Sequence, residues 1–113
     1  MSAVTKMKRL MHKDVFDAAA EMGEREMKLL WALDQARPNA VGVAYLMQLL
    51  GLTWEPLAGY RHNNAMALDR YIKFAGVAAR VARILRLNGW LMCRSGGTIN
   101  DKIWIVRQSD APE

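Results

Sequence analysis

The sequence predicts a mainly α-helical domain closed by a C-terminal β-hairpin. Three observations lead there. Apolar residues recur at helical spacing through most of residues 24–87. After Asn88-Gly89 the pattern changes to two short runs rich in β-branched and aromatic residues. The chain has 113 residues, 52 % hydrophobic and 24 % charged, which suits one modest core and not two.

Each element has its own signals. Residues 1–13 read as a flexible basic arm, with Met7, Leu10 and Met11 only weakly helical in spacing. Asp14 is placed to cap a short helix running to Met22, because an acid at a helix start accepts orphan amide hydrogens. Glu24 to Ala36 predicts a helix, with Glu24 and Glu26 in the first turn, where the dipole favours acids. Met27, Leu30, Trp31 and Leu33 are its apolar positions. Arg37-Pro38 ends it, since the residue before proline avoids the helical region.

A second helix is predicted over Val43–Leu50, stopped by Gly51. Residues 52–64 read as a long loop broken by Pro56 and Gly59. A loop of that length in a small domain points to a functional segment. Asn64 is a candidate cap for a helix from Ala65 to about Ala75, with Leu68, Tyr71, Ile72 and Ala75 on one face. A break is expected at Gly76, then a helix over Val77–Leu87. Residues 90–94 and 102–107 are the hairpin strands, joined by the turn segment 95–101. The expected organisation is an arm at 1–13, one domain at 14–107 and a flexible tail at 108–113.

No run of about 18 uncharged apolar residues is present, so no membrane helix is expected. The early charges Lys6, Lys8, Arg9 and Lys13 have no apolar stretch behind them, unlike a secretory signal. The single cysteine, Cys93, cannot form an internal disulfide and fits a reducing, cytoplasmic setting.

Charge is unevenly distributed. The formal net charge is +5. Residues 14–35 carry six acids and two bases, while residues 70–107 carry eight Lys or Arg and one acid, Asp101. A block of that sign suggests a polyanion partner. Within it, Val77, Val81, Ile84 and Leu85 fall in one arc of a helix, and Arg80, Arg83 and Arg86 fall opposite, with the small Ala79 among them. Guanidinium forks match phosphates and guanine edges. A merely solvated arginine face is the competing reading.

The element order now resembles the winged helix-turn-helix superfamily. The stretch Val43-Ala-Tyr-Leu-Met-Gln-Leu-Leu-Gly-Leu-Thr53 is similar to its first motif helix and turn. Residues Val77 to Leu91 are similar to its recognition helix entering the first wing strand, and Gly96-Gly97 to the wing tip. The likeness spans about residues 24–107 and implies a winged helix with an inserted helix. Family members usually pass from the turn straight into the recognition helix; here residues 54–76 intervene, so the helix at 65–75, with Arg70 and Lys73, is a second candidate for the groove.

The resemblance implies a double-stranded DNA-binding regulator of transcription. Arg80, Arg83, Arg86 and Ala79 would face the major groove. Arg94 and Lys102 would meet phosphates at the wing, helped by Thr98 and Asn100, and Lys6, Lys8 and Arg9 would follow a neighbouring groove. The alternative is a protein-interaction module on the same fold, an inhibitor or adaptor, such as mobile genetic elements carry. Its contact would be Trp54, Leu57 and Tyr60, since aromatic anchors dominate interfaces. RNA binding lacks an aromatic stacking stripe. The acidic 14–35 segment offers a surface for a second copy or another protein.

Catalysis finds no support. His12 and His62 lie far apart without a second ligand at metal spacing. No phosphate-binding glycine loop or zinc-protease helix occurs. Cys93 reads as packing. No cofactor, metal or membrane partner is expected.

Overall fold

The computed structural model describes residues 11–52, 61–96 and 100–110, and for residues 61–68 the backbone alone. It is mainly helical, with a small antiparallel sheet towards the C-terminus. A 3-10 turn, Lys13–Val15, leads into the short helix α1, Phe16–Ala19. Then come α2, Glu24–Ala36, strand β1, Val41–Gly42, and α3, Val43–Leu49. The long α4, Arg61–Leu87, is followed by β2, Trp90–Arg94, and β3, Lys102–Arg107, with a last 3-10 turn at Gln108–Asp110.

The core lies between α2, the C-terminal part of α4 and the sheet. Leu29, Leu30 and Leu33 of α2, Leu46 and Met47 of α3, and Ile103 of β3 are completely or almost completely buried. From α4 come Phe74, Val77, Ala78, Val81 and Leu85. Those five positions follow one helical stripe with no change of phase at Gly76.

The break expected at Gly76 is therefore absent: residues 61–87 are one helix of 27 residues. An interior glycine costs only about 1 kcal/mol relative to alanine, which a stripe of buried side chains outweighs. The face expected for 65–75 is also wrong in phase. Phe74 is fully buried, whereas Ile72 is 59 % exposed. Leu68 lies outside the described side chains. The helix already runs at Arg61, so Asn64 is not its cap; residues 53–60 of the expected loop lie outside the described residues.

Strand β1 has no counterpart among the expected elements, because two residues show no alternation. It pairs with β3 through Val41 and Ile103, giving the sheet order β1-β3-β2. The two expected strands pair as an antiparallel hairpin, with register Trp90 with Arg107 through Arg94 with Ile103. Gly51 (φ 74°) and Gly89 (φ 86°) take left-handed conformations just past α3 and α4. A Leu52 amide to Met47 carbonyl bond of 2.7 Å closes the end of α3.

Packing and hydrogen bonds also involve residues on either side of 14–107. Met11 is buried, and the His12 amide donates to Asp34 Oδ2 at 2.9 Å. At the other end, the Gln108 amide donates to the Gly89 carbonyl at 2.9 Å. Asp14 does not cap a helix with its side chain. It accepts from Arg37 and Arg107 instead, at 2.9 and 3.0 Å. Trp90 is buried, with both guanidinium groups over its ring at 4.8 and 4.9 Å. Trp31 and Trp104 are half-buried.

Candidate nucleic-acid interface

The hairpin folds back along α4. After the turn at Asn88 and Gly89, whose Asn88 Nδ2 donates to the Ile84 carbonyl at 2.8 Å, β2 packs against the helix. Its last residue, Arg94, donates through Nη2 to the Tyr71 hydroxyl at 2.9 Å. Tyr71 lies sixteen residues before Leu87, roughly 24 Å along the axis at the usual rise. The turn end of β2 thus lies beside the middle of α4.

The hairpin is pinned by Asp101 at the base of its turn, where Arg94 and Lys102 flank the 95–101 segment. This carboxylate is 4 % exposed and accepts from the Ser95 hydroxyl, from Arg94 Nε at 2.8 Å and from the Lys102 amide at 2.8 Å. Burial would raise its pKa, but those three donors outweigh it and hold the carboxyl at about 2. The Asp101 carbonyl accepts the Val43 amide at 2.9 Å, so the same residue fixes the start of α3. Ser95 and Lys102 close the hairpin, with the Ser95 amide donating to the Lys102 carbonyl at 3.1 Å. Sequence reasoning missed Asp101; its one signal is being the sole acid among residues 70–107.

The expected DNA-contacting residues separate into two groups. Arg94, Asn100 and Lys102 belong to the hairpin, whose Arg94 meets Tyr71 near the middle of α4, in the same stretch of helix as Arg70 and Lys73. Arg83 and Arg86 lie roughly 18 and 22 Å further along the axis, beyond Tyr71. Arg83, Arg86 and Ala79 are exposed, opposite the buried stripe, as the helical spacing predicts.

Several of these cations already hold an acid. Arg80 Nε donates to Glu26 Oε1 at 3.1 Å, Lys73 lies 3.2 Å from Asp69, and Arg94 holds Asp101. Arg83, Arg86 and Lys102 make no ion pair among the described residues. Lys6, Lys8, Arg9, Thr98, Trp54, Leu57 and Tyr60 lie outside the described residues.

The acidic 14–35 segment is largely matched within the chain. Asp14 bonds Arg37 and Arg107, and Asp34, fully buried, accepts from His12 and Arg37. Glu26 holds Arg80, Glu24 lies 3.6 Å from Lys28, and Glu21 accepts from Asn88. The arginine bonds lower the pKa of Asp14, Arg37 first, against a smaller effect of burial.

A shallow groove of about 460 Å³ opens over the Trp90 end of the sheet, lined by His12, Arg37, Trp90 and Arg107 among others. Among the described residues, no group of three or more His, Cys, Asp or Glu is placed to hold a metal ion. No helix among them is long and apolar enough to cross a membrane. Comparison with protein families, curated proteins and solved structures finds no match to this chain.

Proposed function

We propose that this protein binds double-stranded DNA as a winged helix-turn-helix regulator of transcription. The observation that carries the reading is the Arg94–Tyr71 hydrogen bond, which sets the turn end of β2 beside the middle of α4, the helix that follows α3. The order helix, strand, helix, helix, strand, strand, with the sheet order β1-β3-β2, supports a wing beside a recognition helix. On this reading the N-terminal half of α4 enters the major groove with Arg70 and Lys73 at its flank. Lys102 meets the backbone beside the wing, and Arg83 and Arg86 meet more distant phosphates.

Electrostatics favour the same partner. The net charge is +5, and among the described residues Arg83 and Arg86 of α4 and Lys102 of β3 are exposed without an ion pair, as are Lys13 and Arg25 elsewhere. Cations of this kind release counterions when they meet phosphate, so binding must weaken with salt. Fluorescence anisotropy with a mixed-sequence duplex at about 50 and about 200 mM salt tests this. Affinity that falls steeply with salt, and falls again in Arg83→Ala with Arg86→Ala, supports the reading. Folded protein that binds no duplex at low salt overturns it.

A further inference from the structure

We propose that Tyr71, Arg94 and Asp101 form a positioning device that sets the turn end of strands β2 and β3 against α4 for duplex engagement, and that Arg94 is not itself a phosphate contact. The proposal rests on the duplex-binding reading and assigns Arg94 a different role within it.

One edge of the Arg94 guanidinium is occupied by two partners from different elements. Nε donates to Asp101 Oδ2 at 2.8 Å, and Nη2 donates to the Tyr71 hydroxyl at 2.9 Å. Arg94 is thus the bridge from the base of the hairpin turn to the middle of α4. Neither partner is loosely held. The Tyr71 ring lies 6.4 Å, centroid to centroid, from Phe74, which is fully buried. The Asp101 side chain is itself fully buried and also holds Ser95 and the Lys102 amide. The bridge therefore runs from core to core, through a side chain that is 30 % exposed.

Two consequences follow from charge and shape. A cation with a carboxylate 2.8 Å away contributes little net field to a phosphate backbone, so it releases few counterions. Lys102, exposed and without an ion pair among the described residues, is the residue at the base of the hairpin turn that retains a full charge. Further, a lysine at position 94 keeps the charge but presents no planar fork, so it cannot hold both partners in this geometry. A phosphate contact tolerates that exchange and a bridge does not.

The test uses the full chain and a mixed-sequence duplex, with anisotropy titrations between about 50 and about 200 mM salt. Tyr71→Phe removes one oxygen and keeps the ring on Phe74, so it leaves the fold intact. Tyr71→Phe and Arg94→Lys are each expected to weaken binding about threefold to tenfold, the usual range for one net hydrogen bond. The double variant is expected to be no weaker than either single one. The slope of log affinity against log salt stays at the wild-type value in all three, whereas Lys102→Gln lowers it by about 1.

Wild-type affinity in both Tyr71→Phe and Arg94→Lys overturns the bridge while leaving duplex binding in place. So does a slope lowered by about 1 in Arg94→Gln, which marks a phosphate contact. Wild-type protein that binds no duplex at about 50 mM salt overturns the duplex reading and the bridge's role with it.

Discussion

Arg80 donates from Nε to Glu26 Oε1 at 3.1 Å, tying the arginine face of α4 to the first turn of α2. The two residues lie 54 positions apart, one in the basic segment and one in the acidic segment. A similar pair joins Asp14 to Arg107. Folding therefore cancels part of a charge separation that is prominent along the chain. It leaves Arg83 and Arg86 as the uncompensated members of the trio.

Releasing Arg80 should strengthen binding to a polyanion. Glu26→Gln is expected to raise duplex affinity about twofold to threefold at about 50 mM salt, with the gain lost near 200 mM. Arg80→Ala should cost less affinity than Arg83→Ala. Anisotropy titrations at both salt concentrations check the pair. Stability should change by less than about 1 kcal/mol in Glu26→Gln, because the Arg80 partner is half exposed.

The continuity of α4 makes Gly76 an ordinary helix-interior position. A methyl group there meets only Arg80 Nη1, at 3.9 Å, the far end of a flexible side chain. Gly76→Ala is expected to stabilise the protein by about 0.5–1 kcal/mol, seen as a higher urea midpoint. A kinked helix would give a loss instead. The phase of the same helix predicts that Phe74→Ala costs about 3–5 kcal/mol. Ile72→Ser should stay within about 0.5 kcal/mol, because Ile72 is largely exposed.

Asp34 organises the N-terminal segment. Its fully buried carboxylate accepts from the His12 amide, the His12 ring and Arg37. Asp34→Ala leaves these donors without their acceptor and is expected to cost about 2–3 kcal/mol. Trypsin should also cut after Lys13 faster in that variant than in the wild type. Equal cleavage rates at equal folded fraction would remove Asp34 as the anchor.

Acid should loosen the base of the hairpin turn. The Asp101 pKa lies near 2 in the folded protein, below its ordinary value of 3.8. The folded state therefore holds the carboxylate more tightly than the unfolded chain does. The resulting stability is complete above about pH 4 and fades as pH falls towards 2. Asp101→Asn should be less stable than wild type at neutral pH, with the difference shrinking between about pH 4 and 2. Urea unfolding at a series of pH values measures it.

Much of the architecture was legible in the chain itself. Helix α2 is marked at its start by Glu24 and Glu26 and at its end by Arg37-Pro38, and its bounds match those signals. Gly51 and Asn88-Gly89 mark the ends of α3 and α4, because left-handed backbone after a helix selects glycine. The strands 90–94 and 102–107 follow from β-branched and aromatic runs. The outward arginines of α4 follow from spacing alone, since a helix places every third and fourth residue on one side.

What only the tertiary structure decided concerns contacts between segments distant in sequence. Gly76 reads as a break until Phe74 and Val77 are seen buried along one stripe, because packing outweighs a local preference of about 1 kcal/mol. Strand β1 exists because Lys102 and Ile103 lie beside it; two residues carry no periodicity of their own. Spacing puts Arg80 on an outer helix face and Arg94 beside the hairpin turn, but their carboxylate partners are not legible in it. Composition and spacing fix which face of an element a charge occupies. Whether that charge remains available depends on which acid the fold brings within 3 Å or so, and that is a property of the chain's return path.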